Sequence, residues 1–283
     1  MYINFVREGL MCLPETIASF ESAEFSRRNL LKYGLSAAVA AALPSSSAKN
    51  PIGVKFRKVV DLTHTLGPEF PLFPGAAPFR IEPAVSYEKN GYYGSMLSYW
   101  EHSGTHLDAP VHFSPAGLKV DQLPVESFVV PAAVINIAER VKRDADAVVT
   151  PDDIRAWERR HGRLPDNAAV LMASGWSARA GSVEAFLNAD RSGVMHFPGF
   201  SKEAVDFLLT ERRISGIGVD TLSLDHGPSK SFAVHYTLLP TNRWGLENLA
   251  NLEMIPPSGA ILFVGAPKVA GGSGGPSRVL AVW

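Results

Sequence analysis

The sequence predicts an α/β fold, strand-rich with few helices. Two kinds of observation carry that prediction. From residue 59 onwards, eight segments rich in β-branched and aromatic residues recur between turn formers. Only two segments carry clear helix start signals. With 283 residues, 46% of them apolar, the chain can bury one large core, and a single mature domain is enough.

Taken in order, the chain opens on a segment of a different kind. Ser26-Arg27-Arg28-Asn29-Leu30-Leu31-Lys32 looks like a twin-arginine export signal, and residues 33–43 behind it are an uncharged, small-residue stretch. Spanning a bilayer takes about 20 residues, so this stretch is too short for a membrane anchor and suits a signal-peptide core. Ser46-Ser47-Ala48 offers small residues for cleavage. The chain is therefore expected to divide into a leader at 1–48 and a mature domain at 49–283, periplasmic and without a membrane anchor. The single cysteine, Cys12, would leave with the leader, so no disulfide is expected in the oxidising compartment.

In the mature domain, strands are predicted at 59–66, 79–87, 93–101, 129–137, 168–174, 214–220, 260–265 and 278–283. Thr150-Pro151-Asp152-Asp153 supplies an N-cap, a proline at the first helical position and acid in the first turn, which introduces a helix over 154–160. Ser201 repeats the start signal for a helix to residue 213, with Val205, Leu208 and Leu209 on one stripe. Gly271-Gly272-Ser273-Gly274-Gly275 lacks the following helix that a phosphate loop needs and reads as a loop. The formal charge of −1 gives no attraction to nucleic acid or acidic membrane, which favours a small-molecule partner.

The chemistry concentrates between residues 102 and 113. His102, His106, Asp108 and His112 put three of eight histidines and an aspartate into eleven residues. Imidazole and carboxylate suit zinc, manganese or iron. A helix fails here: at about 100° per residue Asp108 would point away from the two histidines, with Gly104 and Pro110 inside the helix at a cost. An extended chain would put all four on one face but leave His102 and His106 roughly 13 Å apart, too far for one ion. The chain must fold back between them, and Gly104 is placed to permit it. Two imidazoles and one carboxylate leave coordination positions open, the pattern of a catalytic site that activates water. His112 is then better suited to proton transfer than to ligation.

At these residues the chain resembles the cyclase family of metal-dependent hydrolases, which includes kynurenine formamidases and isatin hydrolases. The pattern H-x-G-T-H-x-D-A-P-x-H-F is complete from His102 to Phe113. Asp61-Leu62-Thr63-His64 with Pro71-Leu72-Phe73-Pro74-Gly75 is similar to the family's opening strand and aromatic loop, and Gly218 to Ser223 to a later strand end. The resemblance implies a swivelling β/α/β domain, often a homo-oligomer. It implies metal binding by His102, His106 and Asp108, proton transfer by His112, and completion of the cluster by His235 and Glu247, twelve positions apart. The implied cofactor is a divalent metal, zinc or manganese, one or two ions per subunit.

Phe73 and Trp244 sit in loop-like sequence beside motif residues and are expected to touch a flat aromatic substrate. Asp220, Ser223 and Asp225 are candidates to support the site from behind, and His161, His196 and His226 have no evident partner. The expected activity is metal-dependent hydrolysis of a carbon–nitrogen bond in an aromatic amide, formamide or lactam. An exported enzyme points to a lactam or another extracellular amide. Two rivals are a ring-closing cyclase on the same scaffold and a non-enzymatic periplasmic metal-binding protein; a storage protein needs ligands but no His112.

Overall fold

The structure is a computed structural model and describes residues 56–283. The expected leader at 1–48, with Arg27, Arg28 and Cys12, lies outside the described residues. Among the described residues no helix is long and apolar enough to cross a membrane.

Strand β1 (Val59–Asp61) is followed by a hairpin of β2 (Arg80–Val85) and β3 (Gly94–Ser98) that encloses the short helix α1 (Tyr87–Asn90). Next come β4 (His106–Asp108), β5 (Val129–Asn136), α2 (Ala138–Val141), β6 (Val148–Val149), α3 (Pro151–His161) and β7 (Ala168–Ala173). The order continues through α4 (Val183–Leu187), β8 (Gly199–Phe200), α5 (Lys202–Glu211), β9 (Ile214–Val219), α6 (Ala233–Leu238) and β10 (Trp244–Glu247). It ends on β11 (Ala260–Gly265), β12 (Gly274–Pro276) and β13 (Arg278–Val282).

Nine strands form one sheet in the order β1-β13-β11-β5-β7-β9-β10-β4-β12. The centre, β5-β7-β9-β10, is parallel and the flanking pairs are antiparallel. Parallel strands are covered on both faces and so read as unbroken apolar runs. All six residues of β7 are buried, and they divide with period two. Val170 and Met172 face a core closed by Ile154 and Trp157 of α3, Val205 and Leu208 of α5 and Leu238 of α6. Ala169, Leu171 and Ala173 face the opposite core with Leu246, Leu262 and Val279.

The two helices foreseen from capping residues form where those residues place them. Thr150 accepts from the Asp153 N–H and Asp153 accepts from the Thr150 N–H, with Pro151 in the first turn. Ser201 accepts from the Ala204 N–H at 3.0 Å and starts α5. The expected stripe of α5 faces the core, with Val205 and Leu208 buried, Leu209 partly buried against the same cluster, and Ala204 joining them. Strand β4 fits between β10 and β12, which sets His106 opposite Glu247 and Asp108 opposite Gly274.

Candidate metal centre

Chain reversal after His102 places the first group of residues. Gly104 takes φ +63°, the left-handed conformation that a side chain resists, and its carbonyl lies 2.8 Å from His106 Nδ1. On β4, His106 and Asp108 share a face while Leu107 points into the core. Pro110 then opens a single 3₁₀ turn, Pro110–His112, that carries the His112 ring back over His102, centroids 3.7 Å apart and planes 20° from parallel.

Two later segments close the cluster. Register across β4 and β10 brings Glu247 to His106, and Glu247 Oε1 accepts from the Leu224 N–H at 2.9 Å. His235 comes from the first turn of α6, which Asp225 caps: its carboxylate accepts from the Val234 N–H (2.9 Å) and the His235 N–H (3.2 Å) and meets His235 Nδ1 at 2.6 Å. Nε2 is thereby turned toward the cluster, the orientation a carboxylate imposes on a ligating imidazole.

The resulting cage fits a divalent ion. His106 Nε2 lies 3.3 Å from Asp108 Oδ1 and 3.3 Å from Glu247 Oε2, while His235 Nε2 lies 3.4 Å from Asp108 Oδ2 and 3.2 Å from Glu247 Oε1. Donors bonded at about 2.0–2.2 Å to one ion stand about 3.0–3.5 Å from one another, so these are ligand spacings. His106 Nε2 and Asp108 Oδ2 are buried with no hydrogen-bond partner among the described residues, a state that costs free energy unless something else fills the gap. Two overlapping sets, His102/His106/Asp108 and Asp108/His235/Glu247, share Asp108. His102 Nδ1 approaches Asp108 Oδ1 more closely, at 2.6 Å.

Electrostatics reinforce the geometry. Burial alone would raise the two carboxylates and lower the two imidazoles, but their mutual contacts win. Asp108, facing His102, His106 and His235, is held well below the usual carboxylate range, and Glu247 is lowered by His106 and His235 against the Asp108 charge. Asp108 and Glu247 carry His106 up to about 10, and Asp108, Asp225 and Glu247 raise His235 well above its ordinary value. Two buried carboxylates thus demand positive charge at their centre, which a divalent ion supplies. His112 behaves differently: burial pushes it down to about 4 against the pull of Asp108, so it is neutral at pH 7 and free to accept a proton.

Above the cage opens a cavity of about 300 Å³ whose apolar wall includes Leu72, Phe73, Trp100, Phe113, Leu222 and Phe232. Its polar floor holds His102, His106, His112, His235 and Glu247. Phe73 is therefore where a substrate-contacting residue belongs. Trp244 is not: its ring is fully buried over Gly216, its indole N–H donates to the Ser127 carbonyl at 3.1 Å, and it does not line the cavity. The substrate role expected for Trp244 gives way to a core role, and Trp100 and Phe113 take the aromatic places in the wall. Asn248, not singled out from sequence, also lines the cavity; its Nδ2 donates to the Gly104 carbonyl at 2.8 Å and its Oδ1 has no partner among the described residues. The Ser223 Oγ, buried in the same wall, is likewise unpartnered. His196 pairs with Asp146 at 2.6 Å, outside this cavity.

The Cyclase family model matches residues 60–226, more than half of the chain. This chain belongs to the cyclase family of metal-dependent hydrolases. An isatin hydrolase of Roseibium aggregatum is 35% identical over 262 residues, 85% of this chain and 98% of the relative. A kynurenine formamidase of Bacillus cereus is 27% identical over 197 residues, 69% of this chain and 84% of the relative. A solved isatin hydrolase bound to the product analogue thioisatinate superposes with a TM-score of 0.76 at 32% identity, covering 91% of this chain and 99% of that one. The strand-rich architecture expected from the resemblance is the one observed, and the isatin hydrolase and kynurenine formamidase relatives support a metal-dependent amide hydrolase; they do not favour a ring-closing cyclase.

Proposed function

We propose that the enzyme opens the amide bond of an aromatic lactam of the isatin type, using zinc or manganese, one or two ions per subunit. The observation that carries this is the cage of His106, Asp108, His235 and Glu247 beneath an apolar, aromatic-walled cavity. A bound divalent ion acidifies water and polarises the scissile carbonyl. Leu72, Phe73, Phe113 and Phe232 form an apolar wall, the phenylalanines in contact with one another, against which a flat ring can lie. The free oxygens of Ser223 and Asn248 offer the amide its hydrogen bonds. Neutral His112 is placed to take one proton from the attacking water and return it to the leaving nitrogen as the carbon–nitrogen bond breaks, leaving an amine and a carboxylic acid that ionises by releasing the second proton to solvent.

The test is metal analysis of the purified enzyme, followed by assays of metal-stripped and reloaded protein on aromatic lactams and aryl formamides. Ion-dependent turnover of the lactams is expected. Turnover of formamides alone would move the substrate toward that of the Bacillus relative, and no turnover of either by fully loaded protein would overturn the reading.

Export by the twin-arginine route to the periplasm is part of the proposal, resting on Arg27-Arg28 and the uncharged stretch behind them. Changing both arginines to lysine should leave a longer precursor in the cytoplasm; unchanged size and fractionation would refute it. Ile81, Tyr93, Met96 and Leu97, exposed in and beside the β2–β3 hairpin, support the expectation of a homo-oligomer.

A further inference from the structure

The glycine run 271–275 has no role in the chemistry so far, yet it lies against the metal centre. Its one side chain beyond glycine, Ser273, sits between two residues of the motif region. Ser273 Oγ meets Glu101 Oε2 at 2.5 Å, the Ser273 N–H donates to the same carboxylate at 3.2 Å, and Ser273 Oγ lies 3.0 Å from His102 Nε2.

The direction of each hydrogen bond follows from what the groups can do. A carboxylate only accepts, so the single hydroxyl proton of Ser273 goes to Glu101 and Oγ is left to accept. The hydrogen in the second contact must then come from His102 Nε2. A neutral imidazole carries one ring hydrogen, and Asp108 Oδ1, 2.6 Å from Nδ1, can also only accept, so the two sides compete for it; a cation on Nδ1 would take that lone pair and leave the hydrogen on Nε2, where Ser273 Oγ accepts it. Only a glycine-rich segment can approach this closely. A Cβ at Gly272 would stand 2.9 Å from Glu101 Oε1, and one at Gly274 would stand 2.9 Å from His102 Cε1 and collide with the Leu107 carbonyl. The loop is anchored in that position by the Ala109 N–H donating to the Ser273 carbonyl at 2.8 Å.

We propose that Glu101 and Ser273 are positioning residues that set the tautomer of His102 and thereby tighten the hold on the divalent ion. The inference rests on the metal-hydrolase reading and adds to it two residues and a purpose for the glycine run. Partners of this kind, one step behind a ligating imidazole, are worth about 10- to 100-fold in metal affinity.

The experiment measures zinc affinity of metal-stripped protein by competition with a chromogenic chelator, for the parent and for Ser273→Ala, Ser273→Thr, Glu101→Gln and the Ser273→Ala/Glu101→Gln double variant. Ser273→Ala should weaken binding about 10- to 100-fold. Glu101→Gln should weaken it less, and the double variant no more than Ser273→Ala alone, because both act through one hydroxyl. Ser273→Thr, which keeps the hydroxyl, should restore affinity to within a few fold of the parent. The melting temperature of the metal-stripped variants should match the parent, and kcat should recover at saturating zinc. Parent-like affinity in Ser273→Ala, equal weakening in Ala and Thr variants, or additive losses in the double variant would each overturn the relay while leaving the metal centre standing. A parent that binds no ion would instead overturn both readings.

Discussion

Asp108 and Asp220 are equally buried, each 1% exposed, and the first ends β4 while the second directly follows β9 of the same sheet, yet they are opposite kinds of residue. Asp108 faces three imidazoles, and its Oδ2 has no hydrogen-bond partner among the described residues. Asp220 accepts from the Ser174 N–H (3.0 Å) and the Trp176 N–H (3.1 Å) at Oδ2 and from the Ser174 hydroxyl (2.5 Å) at Oδ1, so it pins the turn after β7. Their acidities separate accordingly. Burial pushes Asp220 up to about 6 despite those bonds, whereas the imidazoles around Asp108 outweigh burial and hold it well below the carboxylate range. Burial alone therefore does not mark a functional carboxylate. What marks it is the company of groups that can share a cation and an oxygen the protein leaves unsatisfied.

The comparison breaks first on exchange of each aspartate for asparagine, where the largest effects are expected. Asp108→Asn replaces the oxygen anion shared by both candidate ligand sets with a neutral amide. Metal affinity should fall by about two orders of magnitude or more, and turnover should fall with it. Asp220→Asn should bind the parent's complement of metal and turn over within a few fold of the parent, since Asp220 touches none of the cage residues. Metal content by elemental analysis and steady-state kinetics decide the point. Retention of metal by Asp108→Asn, or its loss by Asp220→Asn, would erase the distinction.

His112 sharpens the same contrast within the site, since it lies against the cage without joining either ligand set. His112→Ala should keep its metal and lower kcat by about 10² to 10⁴, the range for losing a general acid–base group. Activity that fell only in step with lost metal, and returned with excess ion, would make His112 a ligand instead.

Much of this was legible in the sequence where the signal is local. The Thr150 and Ser201 caps start α3 and α5, and β11 spans the residues its β-branched run marks out. Gly104 takes the positive φ that the spacing of His102 and His106 requires. What escaped is held by distant partners. Helix α6, which carries His235, begins after Phe232 in a left-handed conformation and takes its capping carboxylate from Asp225 on an earlier loop, so no local start signal exists. Strand β12 is Gly-Gly-Pro, which has no strand propensity and forms because β4 pairs with it. Trp244 reads as loop for the same reason: its strand exists by pairing with β9 and β4, and its ring is accommodated by the missing side chain of Gly216. A sequence window sees capping boxes and spacing; it does not see which backbone will lie alongside.

The smallest effect concerns stability and returns to Asp220. In the unfolded chain an aspartate titrates near 3.9, whereas the folded protein raises Asp220 to about 6 through burial. Between those two values the folded state holds more protons than the unfolded state, so this group's contribution to stability falls as pH rises from about 4 to about 6 and is level above that. Asparagine does not titrate there, so the stability difference between parent and Asp220→Asn should change with pH even though every other titrating group is common to both. Relative to the variant, the parent should be more stable at pH 4.5 than at pH 7.5, by about 1–3 kcal/mol on the scale of about 1.4 kcal/mol per pKa unit. Urea unfolding at the two pH values measures it, with equal m-values as the check that both chains unfold alike. A difference that stays constant between pH 4.5 and 7.5 would mean that the folded protein tolerates the Asp220 charge as well as water does. Bonds from the Ser174 and Trp176 backbone would then be enough to neutralise the cost of burial, and the contrast with Asp108 would rest on geometry alone.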